Sequence, residues 1–141
     1  MLDLFKKFNQ WGRVRNATEI AGVFFEIYSK KEGREKRKEY FWVMSLNEAF
    51  DVLAVDLVAF GNPEKIPIDI RDVFAPAIRE RASYIVICHN HPSNWTDPSL
   101  EDEELTQKIK LAGEILKIPL LDHIIITESG FFYSFKNCKK I

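Results

Sequence analysis

The stretch SYIVICHNHPSNWTDPSLEDEELTQKIKLAGEIL, residues 83–116, decides the fold. Residues 83–88 are short and almost wholly apolar, the pattern of a strand buried on both faces of a sheet. Residues 89–98 read as a polar loop. Ser99 then opens a helix whose apolar face is Leu105, Ile109, Ala112 and Leu116. A buried strand feeding a helix argues an α/β architecture with layers of helix on a sheet.

The remaining elements follow outward from this unit. Downstream, LLDHIIIT (120–127) reads as a strand, ESG as a turn, and FFYSF (131–135) as a closing strand. Upstream, residues 69–81 read as a helix with Pro76 as a local irregularity, and GNPEKIP as a loop. YFWVMSL (40–46) and FDVLAVDLVAF (50–60) read as a hairpin or as neighbouring strands. Asn16 caps a first helix, with Glu19 reaching back, and Ile20, Val23, Phe24 and Ile27 recur at helical spacing. That helix ends in a charged loop around Gly33. The order αββαβαββ predicts a three-layer-like α/β sandwich, a mixed β-sheet flanked by helices. Residues 1–15 are expected to form an N-terminal arm or short helix, and residues 16–141 one domain.

Composition narrows the class. The 141 residues fit a single domain large enough to bury a core without disulfides. Lys and Arg number 20 against 21 Asp and Glu, so the chain as a whole is not a polyanion binder. Charge is uneven, however. Residues 1–40 carry ten basic and six acidic side chains, with the excess in Lys30–Lys38, a solvated loop for which at most weak nucleic-acid binding is expected. Two cysteines are too few for a secreted disulfide framework, and Cys88 reads as a small buried hydrophobe. A reduced, cytoplasmic setting is expected, with no membrane partner, because no apolar run approaches the ~20 residues of a span and the first fifteen residues lack a signal peptide's apolar stretch.

The chemistry concentrates in His89, His91, Ser99 and Asp102. His89 and His91 stand two apart at a strand end, so both imidazoles can point to one side. Asp102 lies one turn into the next helix, within reach if the loop folds back. Two imidazoles and a carboxylate suit Zn²⁺. Three protein ligands leave a fourth position for water, as in catalytic rather than structural sites.

These residues form the pattern H-x-H-x7-S-x2-D, which resembles the JAMM signature of JAB/MPN metallopeptidases. ICHNHPS, DPSLEDEELT, LLDHIIIT and FYSF, with IDIRDVF (68–74) upstream, resemble the RadC-like branch of that family in the same order, over about residues 36–136. The resemblance implies a cytidine-deaminase-like sandwich and a zinc hydrolase cleaving amide or isopeptide bonds of a protein or peptide substrate. It implies zinc ligands at His89, His91 and Asp102, an oxyanion-stabilising Ser99, and a catalytic glutamate at Glu39, with Glu32 and Glu35 as neighbouring alternatives. The alternatives from other classes are a catalytically silent scaffold binding protein or nucleic acid, and a DNA-repair accessory. The chain departs from the family pattern at Asn94, usually Gly, at Ile70, usually Pro, and after Gly61, where the usual Thr and Asn are missing. It also lacks the helix-hairpin-helix region of the longer members.

Some residues have structural readings of their own. Ser99 followed by Leu-Glu-Asp is also a helix cap, and Asp102 is also a first-turn acid. Asp122 and His123 match a family pair, but His123 reads as a structural histidine, not a ligand. Asp51 and Asp56 read as solvent-facing positions of the second strand. A zinc deaminase requires H-x-E and a P-C-x-x-C pair, and a helix-borne zincin requires H-E-x-x-H; neither pattern is present.

Overall fold

The computed structural model describes residues 10–61 and 66–141. A five-stranded mixed sheet in the order β2-β1-β3-β4-β5 carries one helix on one face and two on the other. The strands are β1 (Glu39–Leu46), β2 (Val52–Gly61), β3 (Tyr84–Asn90), β4 (Leu120–Ile126) and β5 (Phe132–Ser134). Only β3 and β4 run parallel, and α3 (Leu100–Leu116) connects them. The other helices are α1 (Ala17–Ser29) and α2 (Ile70–Arg79). The expected sandwich is thus the observed one.

The two faces separate by the period of two along each strand. In β1 and β3, Trp42, Met44, Val86 and Cys88 turn toward α1 and pack with Phe24 and Tyr28. Phe41, Val43, Ile85 and Ile87 turn to the opposite face, where Val73, Phe74 and Ala77 of α2 and Ile109 of α3 cover them. Burial of each such large side chain contributes about 1.5–3 kcal/mol. Phe41 pairs directly with His89. Glu39, Phe41, His89 and His91 therefore all belong to the α2/α3 face, and Asn90 to the α1 face.

Local chemistry sets the element ends. Asn16 Oδ1 accepts from the Glu19 amide at 2.8 Å, and the Glu19 carboxylate reaches back to the Arg15 amide at 3.0 Å. At the far end of α3, Lys117 adopts the left-handed conformation and the chain turns closely over Gly113. A Cβ there would meet the Ile118 carbonyl oxygen at 2.6 Å, so only glycine fits.

Three expectations need correction. Residues 47–51 form a turn, because Asn47 Oδ1 accepts from the amides of both Ala49 and Asp51. Asp51 therefore precedes β2 and bridges to Arg13 at 3.2 Å, while Asp56, in the strand, pairs with Arg79. Strand β3 runs two residues beyond Cys88, since β1 and β4 both continue to pair with it. The charged loop 30–38 contains a 3₁₀ turn at Gly33–Arg37, none of it buried. Of the segment expected as an arm or short helix, residues 1–9 lie outside the described residues, and residues 10–15 contain no helix.

Candidate metal centre

Strand β3, the loop after it and the first turn of α3 bring His89, His91 and Asp102 together. His89 is the last strand residue on the α2/α3 face, and its side chain is 2% exposed. His91 lies just past the strand, with its amide bonded to the Ile126 carbonyl at 2.9 Å. Ser99 caps α3: its hydroxyl accepts from the Asp102 amide at 3.1 Å, and the Asp102 carboxylate accepts from the Ser99 amide at 2.9 Å. This reciprocal cap folds the loop back and holds the carboxylate so that Oδ2, bonded to the Ser99 amide, also faces His91 and Oδ1 faces His89.

The three ligand atoms face one another. The Nε2 atoms of His89 and His91 are 3.0 Å apart, and the Asp102 oxygens lie 3.3 Å from the first and 3.2 Å from the second. A tetrahedral zinc bound at 2.0–2.1 Å spaces its ligands roughly 3.3 Å apart. The observed separations match that spacing, so the residues fit a small divalent cation. Among the described residues this is the group of His, Cys, Asp and Glu side chains arranged to hold a metal ion.

The electrostatics agree with the geometry. Burial alone would raise the Asp102 pKa, but the neighbouring His89 and His91 rings and the bond from the Ser99 amide hold it far below the carboxylate range. Burial pulls His91 down, yet its bonds to Asp102 and the Trp95 carbonyl leave it raised. Beyond the ligands, Nδ1 of His91 lies 2.8 Å from the Trp95 carbonyl oxygen. Nδ1 of His89 lies 2.8 Å from Nε2 of His123, and Nδ1 of His123 lies 2.6 Å from Thr106 Oγ1. Phe41 stacks on His89, and Phe135 on His123. His123 is thus a buried partner of His89. Asp122 faces away, held by Ser134, the Lys136 amide and the His123 amide.

A groove of about 830 Å³ opens beside the cluster. Phe41, Ile66, Ile68 and Leu105 give it an apolar wall, and Glu39, Ser99 and Asp102 contribute polar groups. Glu39 begins β1 and is partly buried. Burial raises its pKa, with only partial compensation from the neighbouring His89 and His91. The neighbouring alternatives stand differently. Glu32 is exposed, and Glu35 bonds Lys38 Nζ and the Tyr40 hydroxyl, both at 3.0 Å. Neither lines the groove.

Thr106 was not singled out by sequence reasoning, and neither was Asn90. Asn90, between the two histidines, is fully buried on the α1 face. Its Oδ1 accepts from the Tyr40 amide at 2.7 Å and its Nδ2 donates to the Lys38 carbonyl at 2.9 Å. It therefore clamps the backbone on both sides of Glu39. A buried amide side chain in an otherwise apolar strand was the available signal.

An α/β sandwich with an open His-His-Asp centre at the end of its central strand is the class that fold and site define. The chain belongs to the RadC-like JAB domain family, which it matches over residues 17–140. It is 42% identical to a UPF0758 protein of Desulforudis audaxviator over 118 residues, covering 84% of this chain and 49% of that protein. A UPF0758 protein of Flavobacterium johnsoniae is 42% identical over 97 residues, covering 69% of this chain and 42% of the relative. One from Thermotoga maritima is 39% identical over 95 residues, covering 67% and 43%. The chain thus spans about half the length of the curated relatives it matches. Among the described residues, no helix is long and apolar enough to cross a membrane.

Proposed function

We propose that this domain is a zinc-dependent metallopeptidase-like hydrolase that cleaves amide or isopeptide bonds in a protein or peptide. The observation that carries the reading is the spacing of the three ligand atoms beside a groove that also contains a half-buried carboxylate. Two imidazoles and one carboxylate favour zinc over the harder Mg²⁺ and Ca²⁺. When bound, zinc supplies a lowered water pKa and polarisation of a substrate carbonyl. His89, His91 and Asp102 hold it. Glu39, with its raised pKa, takes a proton from the attacking water and returns it to the leaving amine. Ser99 accepts a hydrogen bond as the cap of α3, and its own hydroxyl proton has no acceptor among the described residues. That proton is available to a developing oxyanion. The apolar wall at Phe41, Ile66, Ile68 and Leu105 favours a substrate with an apolar side chain near the scissile bond. The two free cysteines agree with a cytoplasmic setting.

A second reading, a silent scaffold or DNA-repair accessory that binds protein or nucleic acid, draws on the exposed basic turn Gly33–Arg37, since Arg37 also lines the groove. Some of that charge is already engaged, because Lys31 and Lys36 lie 4.7 Å from the ring centroids of Tyr40 and Tyr28. At most weak, salt-sensitive nucleic-acid binding is expected.

The test of the hydrolase is Glu39→Gln in the zinc-loaded protein, with a peptide library as substrate and mass spectrometry as readout. The variant is expected to keep its metal and fold and to lose roughly 10²–10⁴ in turnover. Wild-type turnover in this variant, or the loss appearing in Glu35→Gln or Glu32→Gln instead, would remove Glu39 from the mechanism.

A further inference from the structure

This inference rests on reading the cluster as a metal site. The chain has three histidines, and all three meet here. Hydrogen-bond complementarity places their ring protons. Thr106 Oγ1 lies 2.6 Å from the carbonyl oxygen of Asp102, which can only accept, so the hydroxyl proton is committed to it. The same Oγ1 lies 2.6 Å from Nδ1 of His123, and must accept there. His123 therefore carries hydrogen on Nδ1. Its ring is fully buried and stacked on Phe135, surroundings that suit a neutral imidazole. Its Nε2 is then a bare acceptor, 2.8 Å from Nδ1 of His89. His89 donates from Nδ1 and keeps the lone pair of Nε2 for the point shared with His91 and Asp102. His91 donates from Nδ1 to the Trp95 carbonyl, and its Nε2 lies 3.2 Å from Asp102 Oδ2.

We propose that Thr106 and His123 are positioning residues, a buried relay that fixes the tautomer of His89 and so presents Nε2 to the cation. Neither touches the metal. Without the Thr106 hydroxyl, His123 is free to carry its proton on Nε2. Nδ1 of His89 must then accept, and the proton of His89 moves to Nε2, the atom the cation needs. Partners of this kind typically change metal affinity 10–100-fold.

The test joins nitrogen NMR of the three histidine rings in the zinc-free full chain with titration by Zn²⁺ alone. In the wild type, Nδ1 of His89 and of His123 is expected to be protonated and Nε2 of His89 bare. Thr106→Val is expected to move hydrogen onto Nε2 of His89 and weaken zinc binding roughly 10–100-fold. Thr106→Ser, which keeps the hydroxyl, is expected to restore both. A merely structural threonine would change the melting temperature of Thr106→Val and leave the nitrogen pattern alone. A protonated Nε2 on His89 in the wild type overturns the proposal. So does a Thr106→Val protein with the wild-type pattern and affinity. Should Thr106→Val not fold, the wild-type spectrum decides by itself. A wild-type chain that binds no zinc defeats the metal reading instead, and the zinc-free spectrum still separates the two failures.

Discussion

His89 and His91 offer the same nitrogen to the same point, yet opposite kinds of structure hold them. His89 sits in a strand paired on both sides, under Phe41, with its far nitrogen on another buried ring. The side chain of His91 is 17% exposed, and its far nitrogen is held by the carbonyl of Trp95, a residue itself 74% exposed. The core half of the site is supported by packing and opens only with the sheet. The loop half is supported by a few exposed hydrogen bonds and contributes His91, Trp95 and Ser99 to the groove, opposite Glu39, Phe41 and His89 of the core half. A site divided in this way holds the first ligand rigidly and leaves its substrate side free to vary. The departure at Asn94 fits that division: it falls in the loop half, where Asn94 Oδ1 accepts from Ser129.

The sharpest way to separate the halves is Ser99, on the loop side, where cap and oxyanion donor compete. Ser99→Asp keeps a good cap, so melting should be unchanged. The new carboxylate has no proton to donate at neutral pH, so turnover should fall roughly 10²–10³-fold. Zinc content must be read alongside, because the carboxylate can also bind the metal. Stable, fully active Ser99→Asp protein would reduce Ser99 to a cap, whose loss in Ser99→Ala costs about 0.5–2 kcal/mol. On the core side, Asn90→Ala strips the buried Tyr40 amide and the partly buried Lys38 carbonyl of their partner and should cost about 1–3 kcal/mol. It should retain zinc and lower turnover, because the backbone around Glu39 loses both clamps. Unchanged melting and unchanged turnover in Asn90→Ala would show that the core half does not position Glu39.

The loop half was the more legible in the sequence. The His-His-Asp spacing and the cap at Ser99 are local patterns, and each appears where it was read; of the apolar face read for α3, Leu105, Ile109 and Ala112 pack on the sheet, whereas Leu116 is 43% exposed. That Glu39 lines the groove follows from the strand period, since it shares a face with Phe41. The core half depends on contacts distant in sequence. Thr106 and His123 are 17 residues apart and meet only when α3 packs on β4. A partial signal was present, because Asp102 and Thr106 stand at i and i+4 on one helical face. The polar letters of His89 and Asn90 hid the end of β3, where pairing to both neighbours outweighs their character. Asp51 was misplaced for a similar reason, because the alternation continues through a turn that Asn47 closes.

The central claim is that His89, His91 and Asp102 hold one zinc ion. Elemental analysis of the purified chain beside His91→Ala tests it most directly. One zinc per chain in the first, and none in a folded His91→Ala protein, is the predicted result. Equal zinc in both proteins, or none in the wild type after incubation with Zn²⁺, would contradict it.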